Sequence, residues 1–358
     1  MHREWGEGID VIVGPEFHSG PADRTGLRNS IPAPGQGRHT GRRLMKKILR
    51  IILLIFLVPL VLLGAWAGWE HLRDPLAALD RGMPEMIVAA DSSYLVEGVT
   101  GTRIYHDLTL FADELDSIRF TLSLPVAAEG TRLPVVLIIG GLEIGRTSLQ
   151  YVGHHGNNAI IAYEYPYGPE YWYEGTALTE IPAIRNAVRS VPAQLEALAR
   201  WARQQPWADT GRISTFSYSF GAMFVPAFYR LAQEHGASLG PATLIYAGID
   251  VETLLRHNLR MESATVKSTL AWLAATAVRP VEPALHLPHI RTELLIVNGM
   301  RDRLIPEECW RGLQELAPEP KTIINLNTGH MHPSATKLID SLVGIGRQWL
   351  LERGALDK

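Results

Sequence analysis

The sequence predicts an α/β domain with a mostly parallel sheet, helices on both faces and a helical insertion, behind one N-terminal apolar segment. Three observations carry this reading. From about Pro84 onward, short apolar runs alternate with segments of helical periodicity, the order that a parallel sheet with crossover helices produces. Runs such as Pro134–Ile139 (PVVLII) are apolar throughout, as strands buried on both faces are. Finally, the stretch from Ile51 to Ala67 carries no charge.

Composition sets the outer bounds. With 358 residues, 46% of them hydrophobic and 20% charged, the chain can bury a large core. A net charge of -3 and the lack of a basic stripe argue against nucleic-acid binding. Cys309 is the only cysteine, so neither an intramolecular disulfide nor a cysteine-rich zinc site can form.

The elements follow in order. Residues 1–44, rich in Gly, Pro, Arg and His, read as an unstructured or cytoplasmic tail; Met45 is an alternative start. Residues 45–69 read as a transmembrane anchor. Arg42, Arg43, Lys46, Lys47 and Arg50 precede the apolar run, and mixed charges follow it. The positive-inside bias then places everything after residue 70 outside the cytoplasm. Trp66 and Trp69 suit the membrane interface. The same residues also fit a signal peptide cleaved after Ala65-Trp66-Ala67, which would leave a secreted protein.

Residues 84–358 form the expected α/β domain. Arg103–Ala112 and Ser117–Pro125 read as a hairpin, and Pro134–Ile139 and Ala159–Tyr163 as buried strands. Ile184–Gln204 is helical by its three- and four-residue apolar spacing. Arg212–Phe216 reads as a strand, Ala222–Glu234 as a helix, and Thr243–Ala247 and Glu293–Val297 as further strands. Residues 250–290 form a helical insertion, read as a cap over the carboxyl edge of the sheet. Ile323–Leu326 and Ser334–Glu352 supply the last strand and helix.

The sharpest chemical signal is Ser217-Tyr218-Ser219-Phe220-Gly221, between a strand and a helix. A tight strand-to-helix turn needs small residues two positions either side of its apex, and it lifts the central side chain clear of the sheet. A serine hydroxyl needs a base to take its proton. Asp302, in Asn298-Gly299-Met300-Arg301-Asp302, and His330, in Thr328-Gly329-His330-Met331-His332-Pro333, each follow a strand. The order Ser, Asp, His brings all three to one edge of a parallel sheet. His332 competes with His330 for the base, and Asp250 with Asp302 for the acid. His154-His155 has no carboxylate nearby to complete a metal set, so neither metal nor cofactor is expected.

The stretch from about Arg103 to Trp349 resembles the α/β-hydrolase superfamily in its Ser219 turn, its Gly299-x-x-Asp302-x-x-Ile305-Pro306 loop and its Gly329-His330 turn. The resemblance implies an eight-stranded, mostly parallel sheet with a Ser219–His330–Asp302 triad at its carboxyl edge. It also implies an oxyanion hole from the backbone N–H groups of Leu142, after Gly140-Gly141, and Phe220. Glu143 is expected to turn away, toward Arg146. The aromatic run from Tyr163 to Tyr173 lines a pocket or packs against the cap. The expected substrate is a small acyl compound, lipid-like if the site lies near a membrane. The first expectation is hydrolysis of a carboxylic ester through an acyl-enzyme. A peptidase, thioesterase or acyltransferase could use the same triad. A non-catalytic, membrane-tethered binding protein is the alternative from another class.

Overall fold

The computed structural model describes residues 37–82, 85–99, 101–113, 115–126, 130–142, 144–168 and 180–358, with side chains from Leu44. Glu143 and the segment Tyr171-Trp172-Tyr173 lie outside the described residues, and with them the expected Glu143–Arg146 pair. The chain divides into two compact units, Met1–Leu62 and Leu63–Lys358.

In the first unit the described residues belong to one helix, α1 (Gly37–Leu72), which continues into the second. Its part from Leu44 to Leu72 is long and apolar enough to cross a membrane. Its leucine and isoleucine side chains from Leu44 to Leu62 stand exposed.

The second unit is built on a nine-stranded sheet. Its strands are β1 (Met86–Gly98), β2 (Gly101–Ala112), β3 (Leu115–Pro125), β4 (Leu133–Ile139) and β5 (Ala159–Tyr163). Then come β6 (Ala208–Tyr218), β7 (Ala242–Ile245), β8 (Leu294–Gly299) and β9 (Lys321–Leu326). The order is β1-β2-β3-β5-β4-β6-β7-β8-β9. The first three strands form an antiparallel meander joined antiparallel to β5, and β5-β4-β6-β7-β8-β9 run parallel.

The resemblance implied eight strands; the ninth is β1. It pairs with β2 along nearly its whole length but is exposed at most positions. An edge strand held by backbone bonds and solvated on both faces lacks the alternation that marks a strand in sequence. The hairpin and the buried strands form as expected, with ends shifted by a few residues. β4 is buried at all seven positions.

The helices are α2 (Ile181–Arg203), α3 (Val225–Glu234), α4 (Val251–Asn258), α5 (Ala264–Val278), α6 (Glu307–Leu316) and α7 (Thr336–Glu352). Helix α3 is shorter than expected, because its first turn, Ser219–Met223, is a 3-10 helix and Pro226 stands near the α-helical start. Residues 250–290 hold α4, α5 and three short 3-10 turns.

Two hydrophobic layers sandwich the sheet. One packs Leu137, Ile139 and Phe120 against α2 and α3, with Leu195, Leu198 and Phe228 among its buried residues. The other packs Val136, Ile138 and Phe216 against α7 through Leu342, Trp349 and Leu350. The chain leaves β4 toward β5 on one side, while β6 lies on the other. Strand order therefore reverses between β4 and β6, and a crevice opens beyond their carboxyl ends. The register Ile139↔Ser217 sets those ends side by side.

Candidate active site

Ser219 stands at the end of β6 with φ +53°, in the left-handed region. A serine there is strained, and its neighbours must hold it. Gly221 is one reason the turn closes. A Cβ on it would sit 2.3 Å from the Ile139 carbonyl oxygen and 2.6 Å from that of Gly140, so only glycine lets the turn pack on the end of β4. Ser217, the other small residue, is fully buried. Its N–H donates to Thr243 Oγ1 at 3.0 Å, and its hydroxyl donates to the Thr243 carbonyl oxygen. A serine fits here because β7 supplies partners for its hydroxyl.

Asp302 and His330 approach from the ends of β8 and β9. The Ser219 Oγ and His330 Nε2 are 2.9 Å apart, and His330 Nδ1 and Asp302 Oδ2 are 2.6 Å apart. With the His330 proton on Nδ1, the serine hydroxyl donates to Nε2 and the ring donates to the carboxylate. That tautomer satisfies all three groups. The Asp302 side chain is 1% exposed, and its second oxygen accepts from the N–H groups of Leu304 at 2.7 Å and Ile305 at 3.1 Å. One carboxylate oxygen is therefore held by backbone, which leaves the other aimed at the histidine.

The two loops are tied together by backbone. Met300 N–H donates to the Leu326 carbonyl oxygen at 2.8 Å and Arg301 N–H to that of Thr328 at 3.0 Å. Gly299 allows this approach, since a Cβ there would meet the Thr328 oxygen and the Tyr246 ring at 2.7 Å each.

Tyr246 was not singled out by the sequence. It follows β7 with φ +53° and is fully buried. Its ring meets the His330 ring edge-on, with centroids 5.2 Å apart, and its hydroxyl lies 2.6 Å from Thr328 Oγ1. Burial pushes its phenol pKa up, and the nearby Asp302 charge adds to that. An aromatic residue at a strand end reads as ordinary core, so the sequence held no signal for it.

The competing residues go elsewhere. Asp250 caps α4, its Oδ1 accepting from the Thr253 N–H at 3.1 Å. His332 Nδ1 pairs with the Ser334 hydroxyl at 2.9 Å, and no described bond joins it to Ser219.

The turn Gly140-Gly141-Leu142 lies against the serine: a Cβ on Gly141 would be 3.9 Å from both the Ser219 Cβ and the Tyr218 ring. Tyr165 supports it from below by donating its hydroxyl to the Gly140 carbonyl oxygen at 2.5 Å. Tyr163 and Tyr165 are buried, and Tyr165 packs on Phe220 and Phe224. The described part of the aromatic run is thus mostly core. Arg146 lies 3.8 Å from both Asp107 and Glu164. Among the described residues, no cluster of three or more His, Cys, Asp or Glu side chains could hold a metal ion.

No protein-family model matches the chain, and no curated protein matches it either. Solved structures do. Acetyl xylan esterase 1 from a Thermoanaerobacterium species is 13% identical with a TM-score of 0.54, covering 79% of this chain and 93% of that one. The acetyl xylan esterase of a Paenibacillus species, also 13% identical, gives 0.55 over 78% of this chain and 94% of its own. An S-formylglutathione hydrolase from Agrobacterium tumefaciens, 16% identical, gives 0.51 over 74% of this chain and 99% of its own. At these identities the likeness is one of fold.

Proposed function

We propose that this chain, which has the α/β-hydrolase fold, is a serine hydrolase that cleaves carboxylic esters through an acyl-enzyme. The observation that carries the reading is the hydrogen-bonded series Ser219–His330–Asp302, with links of 2.9 and 2.6 Å. Three residues distant in sequence meet in the one order that activates a hydroxyl.

In this mechanism Ser219 Oγ attacks the substrate carbonyl carbon while His330 Nε2 takes its proton. Asp302 holds the ring in the required tautomer and stabilises the imidazolium. The N–H groups of Leu142 and Phe220 face the developing oxyanion. Preorganised donors of that kind are worth about 3–4 kcal/mol each in acyl transfer. The tetrahedral intermediate collapses, His330 returns the proton to the departing alcohol, and the acyl group remains on Ser219. Water, deprotonated by His330, then releases the acid and restores the hydroxyl.

The apolar helix Leu44–Leu72 is read as an anchor, with the basic residues on its N-terminal side in the cytoplasm and the hydrolase domain outside. Apolar acyl esters are then the natural substrates.

The test is labelling of the full chain in detergent with a fluorophosphonate, beside Ser219→Ala. Labelling confined to the wild type is expected, followed by turnover of a p-nitrophenyl ester. A folded wild type that neither labels nor turns over esters would make the chain a binding protein on a hydrolase scaffold.

A further inference from the structure

The layer between the sheet and α7 is incompletely filled. Strands β4 and β5 are joined by a segment whose helical part is the seven-residue 3-10 helix Gly145–Tyr151. Over β4 and β5 that face is therefore covered by one short turn beside α7, while α4 and α6 add to the same layer through Leu254, Cys309 and Trp310. A cleft remains, walled by Val136, Ile138, Ile160 and Phe216 from the sheet and by Leu342 and Val343 from α7. Its upper end reaches Tyr218 and Met331, the neighbours of Ser219 and His330. Its lower end reaches His155 and Arg347. Val136 is level with Ser214, and Tyr218 lies four residues further along β6. At about 3.3 Å per residue the strand wall of the cleft runs for roughly 13 Å. An extended alkyl chain of roughly ten carbons has that length, since each tetrahedral C–C bond advances ~1.25 Å.

The lower end has a different chemistry. Arg103 is 2% exposed, and its guanidinium donates only to neutral acceptors: Ser123 Oγ and the carbonyl oxygens of Ser123, Gly156 and Asn158. Among the described residues no carboxylate lies within ion-pair distance of it. Beside it, His155 is 7% exposed. His155 Nε2 pairs with the Tyr105 hydroxyl at 3.1 Å, and its Nδ1 has no partner among the described residues. Burial first, and the Arg103 charge second, hold His155 neutral by lowering its pKa to about 4. If Tyr105 donates to Nε2, the Nδ1–H is a free donor. Arg347 uses its Nε on the His154 carbonyl oxygen at 3.2 Å, and no described contact takes its two Nη groups. An apolar slot thus ends at the unused donors of His155 and Arg347, with the Arg103 charge close to His155. A neutral lipid chain would leave the buried His155 donor unsatisfied, and a small anion would leave the slot empty.

We propose that this cleft binds a linear alkyl carboxylate of medium chain length, with the chain along the sheet beneath α7 and the carboxylate at Arg347 and His155. The site is separate from the Ser219 chemistry and stands whether or not the chain is a hydrolase.

The experiment titrates decanoate, carrying carbon-13 at its carboxyl group, into the full chain in lipid nanodiscs, with empty nanodiscs as the blank. A saturable, protein-dependent carboxyl resonance is expected. Arg347→Gln should weaken binding about tenfold, the loss of one charge-assisted contact. Val343→Trp, which fills the slot from the partly exposed side of α7, should abolish it. Acetate and decanol should each bind at least about tenfold more weakly than decanoate, since each lacks one half of the recognition. Decanoate binding no better than to empty nanodiscs would overturn the proposal. So would a folded Val343→Trp that binds like the wild type, or decanol binding as tightly as decanoate. Thermal unfolding checks each variant; should Val343→Trp not fold, the Arg347→Gln and decanol arms decide alone.

Discussion

At the scale of single residues, the proposed chemistry turns on which histidine faces the serine. His330 Nε2 lies 2.9 Å from Ser219 Oγ, whereas His332 is occupied with Ser334. His330→Ala is therefore expected to lower ester turnover by roughly 10³-fold or more, and His332→Ala by little; steady-state kinetics on both variants check this. Another histidine bears on stability. His286 is fully buried and pairs through Nε2 with the Pro280 carbonyl oxygen at 2.7 Å. Burial lowers its pKa to about 4, against 6.5 for the free side chain. As pH falls from 6.5 toward 4, the unfolded chain takes up this proton before the folded one does, so stability is lost across that window. Unfolding midpoints measured from pH 7 to pH 4.5 should fall for the wild type and fall less steeply for a folded His286→Gln. Tyr246, Gly221 and Ser217 show how residues without reactive groups hold the site: one packs on the base, one admits the turn, and one ties it to β7.

At the scale of elements, close approach matters more than helix propensity. Gly346 sits inside α7, where alanine would ordinarily be favoured by about 1 kcal/mol. A Cβ there would lie 2.3 Å from the Phe216 ring, so α7 can seat on the sheet only without one. Gly346→Ala is accordingly expected to destabilise the protein by about 1–3 kcal/mol, as overpacking does, and chemical denaturation gives the sign directly. A stabilised variant would show that α7 has room to shift. The same reasoning explains the elements that sequence patterns misplace. Strand β1 has no buried face to announce it. Helix α3 begins late because its first turn is taken up by the strained serine elbow.

At the scale of the whole molecule, the second unit includes the last turns of α1. Glu70, 2% exposed, pairs with Arg73 and accepts from Arg185 Nη2 at 2.8 Å and Arg189 Nη1 at 3.4 Å. Its carbonyl oxygen accepts from Arg279 at 3.2 Å. One buried carboxylate thus joins the end of α1 to α2 and to the turn after α5. Removing it would leave three guanidinium groups facing one another without a counter-charge. Glu70→Ala is expected to cost about 3–5 kcal/mol, the usual penalty for breaking one side of a buried ion pair. Urea unfolding of the full chain in detergent measures it. A loss below about 1 kcal/mol would mean that solvent screens the cluster.

The sequence by itself determined the fold class and the order of the parallel strands' elements, and it placed Ser219 and a short list of acid and base candidates just past strand ends. Each is written locally: apolar runs mark buried strands, and Ser219, Asp302 and His330 each stand a few residues past such a run. It also marked the apolar helix, whose signal is length and lack of charge. Tertiary structure alone decided the choice between His330 and His332, since both lie in one loop and only the position of β9 beside β8 aims one of them. It decided too that Asp250 caps a helix while Asp302 meets the imidazole. The Glu70 cluster, the packing of Tyr246 and the cleft beneath α7 have no sequence signature. Each depends on residues from separate elements whose distances are set only when the layers pack.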